Sequence, residues 1–461
     1  MRVWIAQIDT KVGDIVYNEQ KIKESIQEIG KSSDVIVFPE LTTTGYPPLD
    51  YLRDPYFLRE QKQVVYRTKE LINSINKDLR VVLWFVDFRE WEINSWWDIL
   101  KYNSAALVGE DIQIYNKQLL PNYQEFNETR YFAPWKERLN FYIGSWLASL
   151  LICEDFFEHL YDEKPTSKLL NSSNVPDYVF GINASPFSLG KAKERQELLK
   201  NKRRKTGFWI VYVNQVWAQD GLVFDGETIV INKEWEIIHL GSRFEEEVEV
   251  VDTMHSKSKG FNSQALNEEQ NKYKNILDAQ KVAIQDYLTK SWIENVVIGL
   301  SGGIDSALNL YILSCALDKQ NIKAYYMPSR HNKSLEYAKE VCEKLGVELE
   351  VVPIDSVLEH FDDLFVGEMD EELQWTSYEN LQARIRWMIL ITQANQYNWI
   401  VLNNANQTEL ALWYYTLYWD SAGMYNLTWD MTKNEIYEMA KYINNIEGKD
   451  IIPESIIGRP P

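Results

Sequence analysis

The sequence predicts an α/β protein of two domains with different folds, and three observations carry that reading. The chain has 461 residues, more than one ordinary hydrophobic core accommodates, so two units of a few hundred residues or fewer are expected. Short apolar runs recur through the first half, several of them ending in polar residues with chemistry. In the second half a strand, a glycine-rich turn and a helix open a regular alternation of strand and helix.

Taken in order, the apolar runs are Asp34-Val-Ile-Val-Phe38, Arg80-Val-Val-Leu-Trp84, Ala148-Ser-Leu-Leu-Ile152 and Tyr178-Val-Phe-Gly-Ile182. Runs of this length bounded by polar and turn residues read as buried strands carrying functional groups at their ends. From about Val251 to Lys274 the chain turns polar and loses apolar periodicity, which suits a connection between domains. The expected division is therefore 1–252, a linker over 253–274, and 275–461. A helical stretch follows, then Asn295-Val-Val-Ile-Gly-Leu300, a glycine-rich turn and a helical run from Ala307 to Leu317. Ile322 to Met327 and Val347 to Val352 read as further strands with a helix between them, the alternation of a doubly wound parallel sheet.

Apolar residues make up 45% and charged residues 25%, the balance of a globular protein rather than a disordered or membrane one. A net charge of -20 argues against a nucleic-acid partner, because no basic stripe offsets the acidic surface and phosphates would be repelled. Any polyphosphate site here must rely on backbone amides, a metal ion and a few placed cations. Cys153, Cys315 and Cys342 are the only cysteines and lack zinc-ligand spacing, which points to a reducing cytoplasm. The N-terminus, MRVWIAQIDT, is strand-like rather than a signal peptide, and no run reaches the roughly 18 apolar residues of a spanning helix. Neither export nor membrane insertion is expected. One count is out of line: average usage would give roughly 32 glycines in this length, yet there are 20, beside 17 tryptophans.

Three segments of the first half carry a candidate catalytic set: Glu40 in FPELTTTGYPPLD, Lys117 in YNKQLLPNY and Cys153 in LLICEDFF. A thiol at a strand end can attack a carbonyl while the amide N–H after it faces the developing oxyanion. A carboxylate can take the thiol proton, and an ammonium can stabilise the tetrahedral intermediate. Singly, each residue also suits an ordinary core or surface position. In order and context the three resemble the Glu-Lys-Cys set of the nitrilase superfamily, particularly its glutaminase branch, and the likeness continues through LPNYQEFNETRYF and INASPFSLGK. The resemblance implies an α-β-β-α sandwich over residues 1–252, with Glu40 as base, Lys117 as oxyanion stabiliser and Cys153 as nucleophile. It also puts Tyr123, Phe126, Ser185 and Lys191 where the family contacts glutamine, Lys191 standing where many relatives carry Arg.

In the second half, Ser301-Gly-Gly-Ile-Asp-Ser306 follows a strand and opens a helix, the context that gives a glycine-rich loop its meaning. Paired glycines let backbone amides face inward, and the helix N-terminus adds partial positive charge, so the loop can hold a pyrophosphate. The spacing and lysine of the kinase-type loop are absent. The motif instead resembles the loop of the ATP pyrophosphatase superfamily, enzymes of the adenine nucleotide alpha hydrolase-like fold that adenylate a carbonyl oxygen. Ser301, Gly302, Gly303, Asp305 and Ser306 would then bind ATP. Further segments, Glu379 to Arg386, Asn406 to Glu409, Thr416 to Asp420 and Lys433, resemble the NAD synthetase branch. That implies Mg2+ held by Asp305 and Glu409, and a dinucleotide site that includes Asn380, Arg384 and Lys433.

A nitrilase-type glutaminase followed by such a loop domain resembles, as a whole, the glutamine-dependent NAD synthetase family. The resemblance implies three small-molecule substrates: glutamine, ATP and nicotinic acid adenine dinucleotide. Ammonia would pass through a protein tunnel, and the enzyme would be a homo-oligomer with the dinucleotide site at a subunit interface. The chain departs from the family at Asn403-Asn-Ala-Asn406, where relatives show Gly-Thr-Gly-Asn, and at Gln407, where they show Lys. It also stops at Arg459-Pro-Pro461, where relatives continue, so the second domain reads as truncated at its C-terminus. Trp217, Trp413, Trp419 and Trp429 stand where the family has glycine. Glycine and tryptophan together reach the figure that glycine alone misses, which suggests a UGA codon translated with the wrong genetic code. Two other readings stay open on sequence: an amidase whose second domain binds nucleotide without synthesis, and a non-enzymatic ATP-sensing assembly.

Overall fold

In the computed structural model the chain divides into two units, Met1–Lys272 and Tyr273–Pro461. The described residues are all but 30–32, 94–97, 171–173, 220, 235, 255–267, 331–333, 369–373, 420–421 and 459–461. Most of the stretch expected as a linker, as well as Asp420 and the last three residues, lies outside them.

The first unit is built on two sheets of six strands each. Strands β1 (Arg2–Gln7), β2 (Val35–Val37), β3 (Arg80–Ile93), β4 (Ile99–Val108) and β5 (Ile112–Asn116) form one sheet. The other holds β6 (Asn140–Ile143), β7 (Trp146–Ile152), β8 (Tyr178–Asn183) and β9 (Trp209–Asn214). A hairpin of β10 (Val216–Gln219) and β11 (Leu222–Asp225) leads to β12 (Ile229–Ile231) and β13 (Ile237–Leu240), which complete the second sheet. β14 (Glu247–Asp252) returns to pair antiparallel with β1 in the first. Each sheet has a parallel centre, β1-β2-β3 and β7-β8-β9, and parallel centres require covered faces. The covering is double. β1 packs on β9 and β4 on β7 across the middle, while helices α1 (Ile15–Ile29) and α2 (Pro55–Ile75) cover one outer face and α3 (Pro165–Leu170) and α4 (Lys191–Thr206) the other. This is the α-β-β-α sandwich. Helix α2 shows how locally the sequence directs it: the Asp54 side chain accepts from Tyr56 N and Pro55 stands at the first helical position, where its missing N–H costs nothing.

The second unit is a five-stranded, all-parallel sheet in the order β17 (Leu349–Val351), β16 (Ile322–Tyr326), β15 (Val296–Gly299), β18 (Ile400–Asn403), β19 (Tyr425–Asn426). Successive side chains on these strands go to opposite faces. Val296, Ile298, Ala324, Tyr326, Ile400 and Leu402 join one apolar cluster; Val297, Tyr325 and Val401 join the other. The first cluster is closed by α5 (Glu268–Lys290), α6 (Ile304–Ala316), α7 (Leu335–Leu345) and α11 (Lys433–Glu447). The second is closed by α8 (Asp355–Asp362) and α9 (Trp375–Tyr397). The sheet is therefore doubly wound, and its strand order reverses between β15 and β18, the place where such sheets open a crevice at the strands' carboxyl ends. Helix α5 begins at Glu268, inside the stretch read as linker, because its first turns are polar and give no apolar periodicity. Among the described residues no helix is long and apolar enough to cross a membrane.

Candidate active sites

The first site forms where four chain segments meet between the two sheets of the first unit. β7 ends at Ile152, and Cys153 follows with φ +41, a left-handed backbone that non-glycine residues adopt only where surrounding structure compels it. Asp155 supplies the compulsion. One carboxylate oxygen accepts from Ile152 N (3.0 Å) and Tyr115 OH (2.7 Å), the other from Gln118 N (3.1 Å) and Leu119 N (3.0 Å). One side chain thus fastens the cysteine turn to the segment that carries Lys117. Burial pushes the Asp155 carboxyl up to about 6, against these hydrogen bonds, which favour its charged form.

Lys117 is the centre of the charge cluster. Its Nζ donates to Glu40 Oε1 (2.8 Å) and to Glu128 Oε1 (2.8 Å). Glu40 Oε1 also accepts from Asn103 Nδ2 (2.8 Å), and its other oxygen from Ala184 N (3.1 Å). Asn103 reaches Glu128 as well (3.3 Å), and Trp84 Nε1 donates to Asn103 Oδ1 (2.6 Å). That last bond fixes which end of the amide faces the carboxylates. Glu40, Lys117, Glu128 and Cys153 are all buried, none more than 7% exposed. Burial alone would lower the Lys117 pKa, yet the charges of Glu128 and Glu40 outweigh it and hold the ammonium well above its usual range. Burial pushes Glu128 up to about 7, with Lys117 opposing and Glu40 adding to the rise. Cys153 is pushed up by burial and by the Glu40 charge, while Lys117 favours its thiolate. Two carboxyls, one ammonium and a thiol whose proton needs a base are what acyl transfer through a thioester requires.

Glu128 and Asn103 were not singled out on sequence. Glu128 lies in the LPNYQEFNETRYF segment, but nothing in its spacing sets it apart from Glu125 there; only the fold aims it at Lys117. Of the expected glutamine contacts, Tyr123 donates to both oxygens of Glu154 (3.1 and 3.0 Å), the residue after Cys153. Phe126 packs edge-on against Tyr123 (5.5 Å between ring centres). Ser185 is buried just after Ala184, its backbone paired both ways with Asn214. Lys191 is paired with Glu194 (3.1 Å) and lies over the Phe157 ring (4.5 Å), in the turn after Cys153.

The second site opens at the strand-order reversal of the parallel sheet. Gly302 has φ +76, and a Cβ there would lie 2.7 Å from Ser334 O, so only glycine fits. Gly303 precedes α6 and its N–H is met by Ser301 Oγ (3.2 Å), while Ser306 Oγ donates to Gly303 O (3.1 Å). Asp305, in the first turn of α6, accepts from Asn406 Nδ2 (2.9 Å) through one oxygen and pairs with Lys433 Nζ through the other. Asn406 starts α10 (Gln407–Ala411): its Oδ1 accepts from Glu409 N (3.0 Å) and its N–H donates to Glu409 Oε2 (3.1 Å). Asp305 of α6, Asn406 and Glu409 at the start of α10, and Lys433 of α11 therefore converge at the crevice from three elements. Asn380 and Arg384 of α9 meet instead the loop after α10: Asn380 Oδ1 accepts from Thr416 Oγ1 (2.8 Å) and Arg384 Nε donates to Leu417 O (3.4 Å).

Comparison with known proteins agrees with this division. Residues 2–256 match the carbon-nitrogen hydrolase family and residues 276–461 the NAD synthase family. The glutamine-dependent NAD(+) synthetase of Thermotoga maritima is 33% identical over the whole chain, which spans 84% of that protein. That of Acinetobacter baylyi is 34% identical, again over the whole chain and 82% of the relative. The solved structure of glutamine-dependent NAD+ synthetase from Acinetobacter baumannii, in complex with adenosine diphosphate, superposes with a TM-score of 0.87 at 31% identity, covering 99% of this chain and 84% of that one. The chain belongs to the glutamine-dependent NAD(+) synthetase family.

Proposed function

We propose that the protein takes nitrogen from glutamine at its first site and, with ATP, amidates nicotinic acid adenine dinucleotide to NAD at its second. The observation that carries this reading is the buried Glu40–Lys117–Glu128 cluster beside Cys153, in one chain with a glycine turn at the reversal of a doubly wound sheet. Glu40 takes the thiol proton as the thiolate attacks the glutamine carboxamide carbon. Lys117 and the Glu154 N–H stabilise the oxyanion. The proton passes to the leaving nitrogen, ammonia departs, and water then cleaves the thioester to glutamate and free thiol. Glu128, holding a proton near neutrality, orients Lys117 without cancelling its charge. Tyr123, Phe126, Ser185 and Lys191 hold the glutamine.

At the second site the amides and hydroxyls of Ser301, Gly302, Gly303 and Ser306 take the pyrophosphate of ATP. The dinucleotide carboxylate attacks the α-phosphorus, pyrophosphate leaves, and ammonia displaces AMP from the resulting acyl adenylate. Asp305 and Glu409, two hard oxygen ligands that already share Asn406, would hold Mg2+, which when bound offsets the phosphate charge. Asn380, Arg384 and Lys433 bind the dinucleotide, so Lys433 exchanges its Asp305 contact for the substrate. Three free cysteines support a reducing cytoplasm, and assembly as a homo-oligomer goes with the reading. The test is NAD formation from nicotinic acid adenine dinucleotide, ATP and Mg2+ with glutamine or with ammonium salts. AMP released in step with NAD from both nitrogen donors is expected. Glutamine hydrolysis without AMP release would reduce the protein to an amidase.

A further inference from the structure

Helix ends give an inference that does not rest on the activity. Helix α7 closes on Gly346 at φ +68, with Gly346 N bonded to Glu343 O (3.3 Å) and Val347 N reaching back to Cys342 O (3.0 Å). This pair of bonds ends a helix through one residue in the left-handed region, a position that strongly favours glycine. Helix α5 ends on the same frame: Trp292 N to Thr289 O (3.4 Å), Ile293 N to Leu288 O (3.0 Å), and φ +60 at Trp292. Helix α10 repeats it, with Trp413 N to Leu410 O (3.2 Å), Tyr414 N to Glu409 O (2.9 Å), and φ +53 at Trp413. Two further helices, α11 and α9, close on Gly448 (φ +63) and Asn398 (φ +56), the residue types that tolerate the conformation.

Tryptophan is the outsider in this series, and packing does not explain it. Trp292 is 85% exposed and Trp413 81%, so neither indole buries enough to offset a left-handed backbone. Trp217 makes the same point in a strand. It sits in β10 at φ +83, and its Nε1 is buried with no hydrogen-bond partner, a penalty on both backbone and side chain.

We propose that positions 217, 292 and 413 are glycine in the protein as its own ribosomes make it, the codon being UGA, read there as glycine and written as tryptophan. One base separates UGA from the glycine codon GGA, and a decoding error of this kind always writes the same residue. Divergence would scatter over Ala, Ser and Asn. The glycine count points the same way, with 20 present where roughly 32 are usual for this length. Trp419 and Trp429, expected on sequence to belong to the set, are not among the residues with positive φ; Trp419 packs into the second apolar cluster of its unit, and the proposal does not extend to them.

Two measurements test it. Peptide mass spectrometry of the protein from its native source should read Gly at 217, 292 and 413, with UGA at all three codons; Trp in those peptides, or UGG codons, overturns the proposal. In recombinant protein, Trp292→Gly and Trp413→Gly should each raise Tm, by about 2–4 °C for a domain of this size. Trp84→Gly, at a position with 0% exposure, should lower it. A fall at both 292 and 413 would overturn the claim that their backbones call for glycine.

Discussion

The two sites solve opposite electrostatic problems. In the first, Lys117 and Glu40 are each 1% exposed, and every polar atom of the cluster named above is met by another side chain or by backbone. In the second, Lys433 and Asp305 remain 23% and 17% exposed, and the loop offers backbone amides more than side chains. Acyl transfer needs a few charges held dry and immobile, where each acts strongly. A triphosphate, the substrate proposed for the second site, brings its own charge and enters from water, which an open site with a partly exposed cation suits. One chain of net charge -20 can host both because neither site depends on the surrounding surface.

The contrast can be broken at its most rigid point. Cys153→Ala should cut glutamine-driven NAD formation by about 10^4-fold or more while ammonium-driven formation stays within about twofold of wild type. Equal loss with both donors would mean that the sites are not separable, and initial rates with each donor decide it. Asp305→Asn is the converse. It should reduce ATP-to-AMP conversion by about 100-fold and spare basal glutamine hydrolysis, and near-normal ATP turnover in saturating Mg2+ would remove Asp305 from the site.

Glu128 sharpens the comparison through pH. Its folded pKa of about 7 lies above that of the unfolded chain, so between about 4.5 and 7 the native state binds more protons and stability falls as pH rises. Denaturant unfolding should show wild type losing up to about 3 kcal/mol relative to Glu128→Gln across that window, and nothing further above it. A parallel pair of curves would mean that Glu128 titrates normally. The smallest effect is expected at Trp84→Phe, which keeps the ring but removes the Nε1 donor from Asn103. Leaving that buried oxygen unmet should cost roughly 1–3 kcal/mol, with a modest drop in kcat for glutamine and none for ammonium.

Much of this architecture was legible because local signals and global fold agree. Asp34 to Phe38 contains β2, Ala148 to Ile152 lies within β7, and the glycine turn does follow β15, since buried parallel strands read as unbroken apolar runs. The start of α5 was missed where its surface is polar. Glu128, Asn103 and Asp155 escaped for a different reason: the partners that tie them into the site, Lys117, Glu40 and Gln118, lie 11, 63 and 37 residues away along the chain, and no periodicity records a contact made only by tertiary packing. At Trp419 the backbone carries no sign either way, since its φ is not positive.

The bonding of Asp155 carries a consequence for how the first site comes apart. Amides of Ile152, Gln118 and Leu119, from two separate segments, share one carboxylate as acceptor. Opening of the cysteine turn carries that carboxylate away from all three, so the Gln118 and Leu119 amides should exchange with solvent deuterium at least as fast as that of Ile152. Loss of the turn at Cys153 would then free the segment that carries Lys117 in the same step.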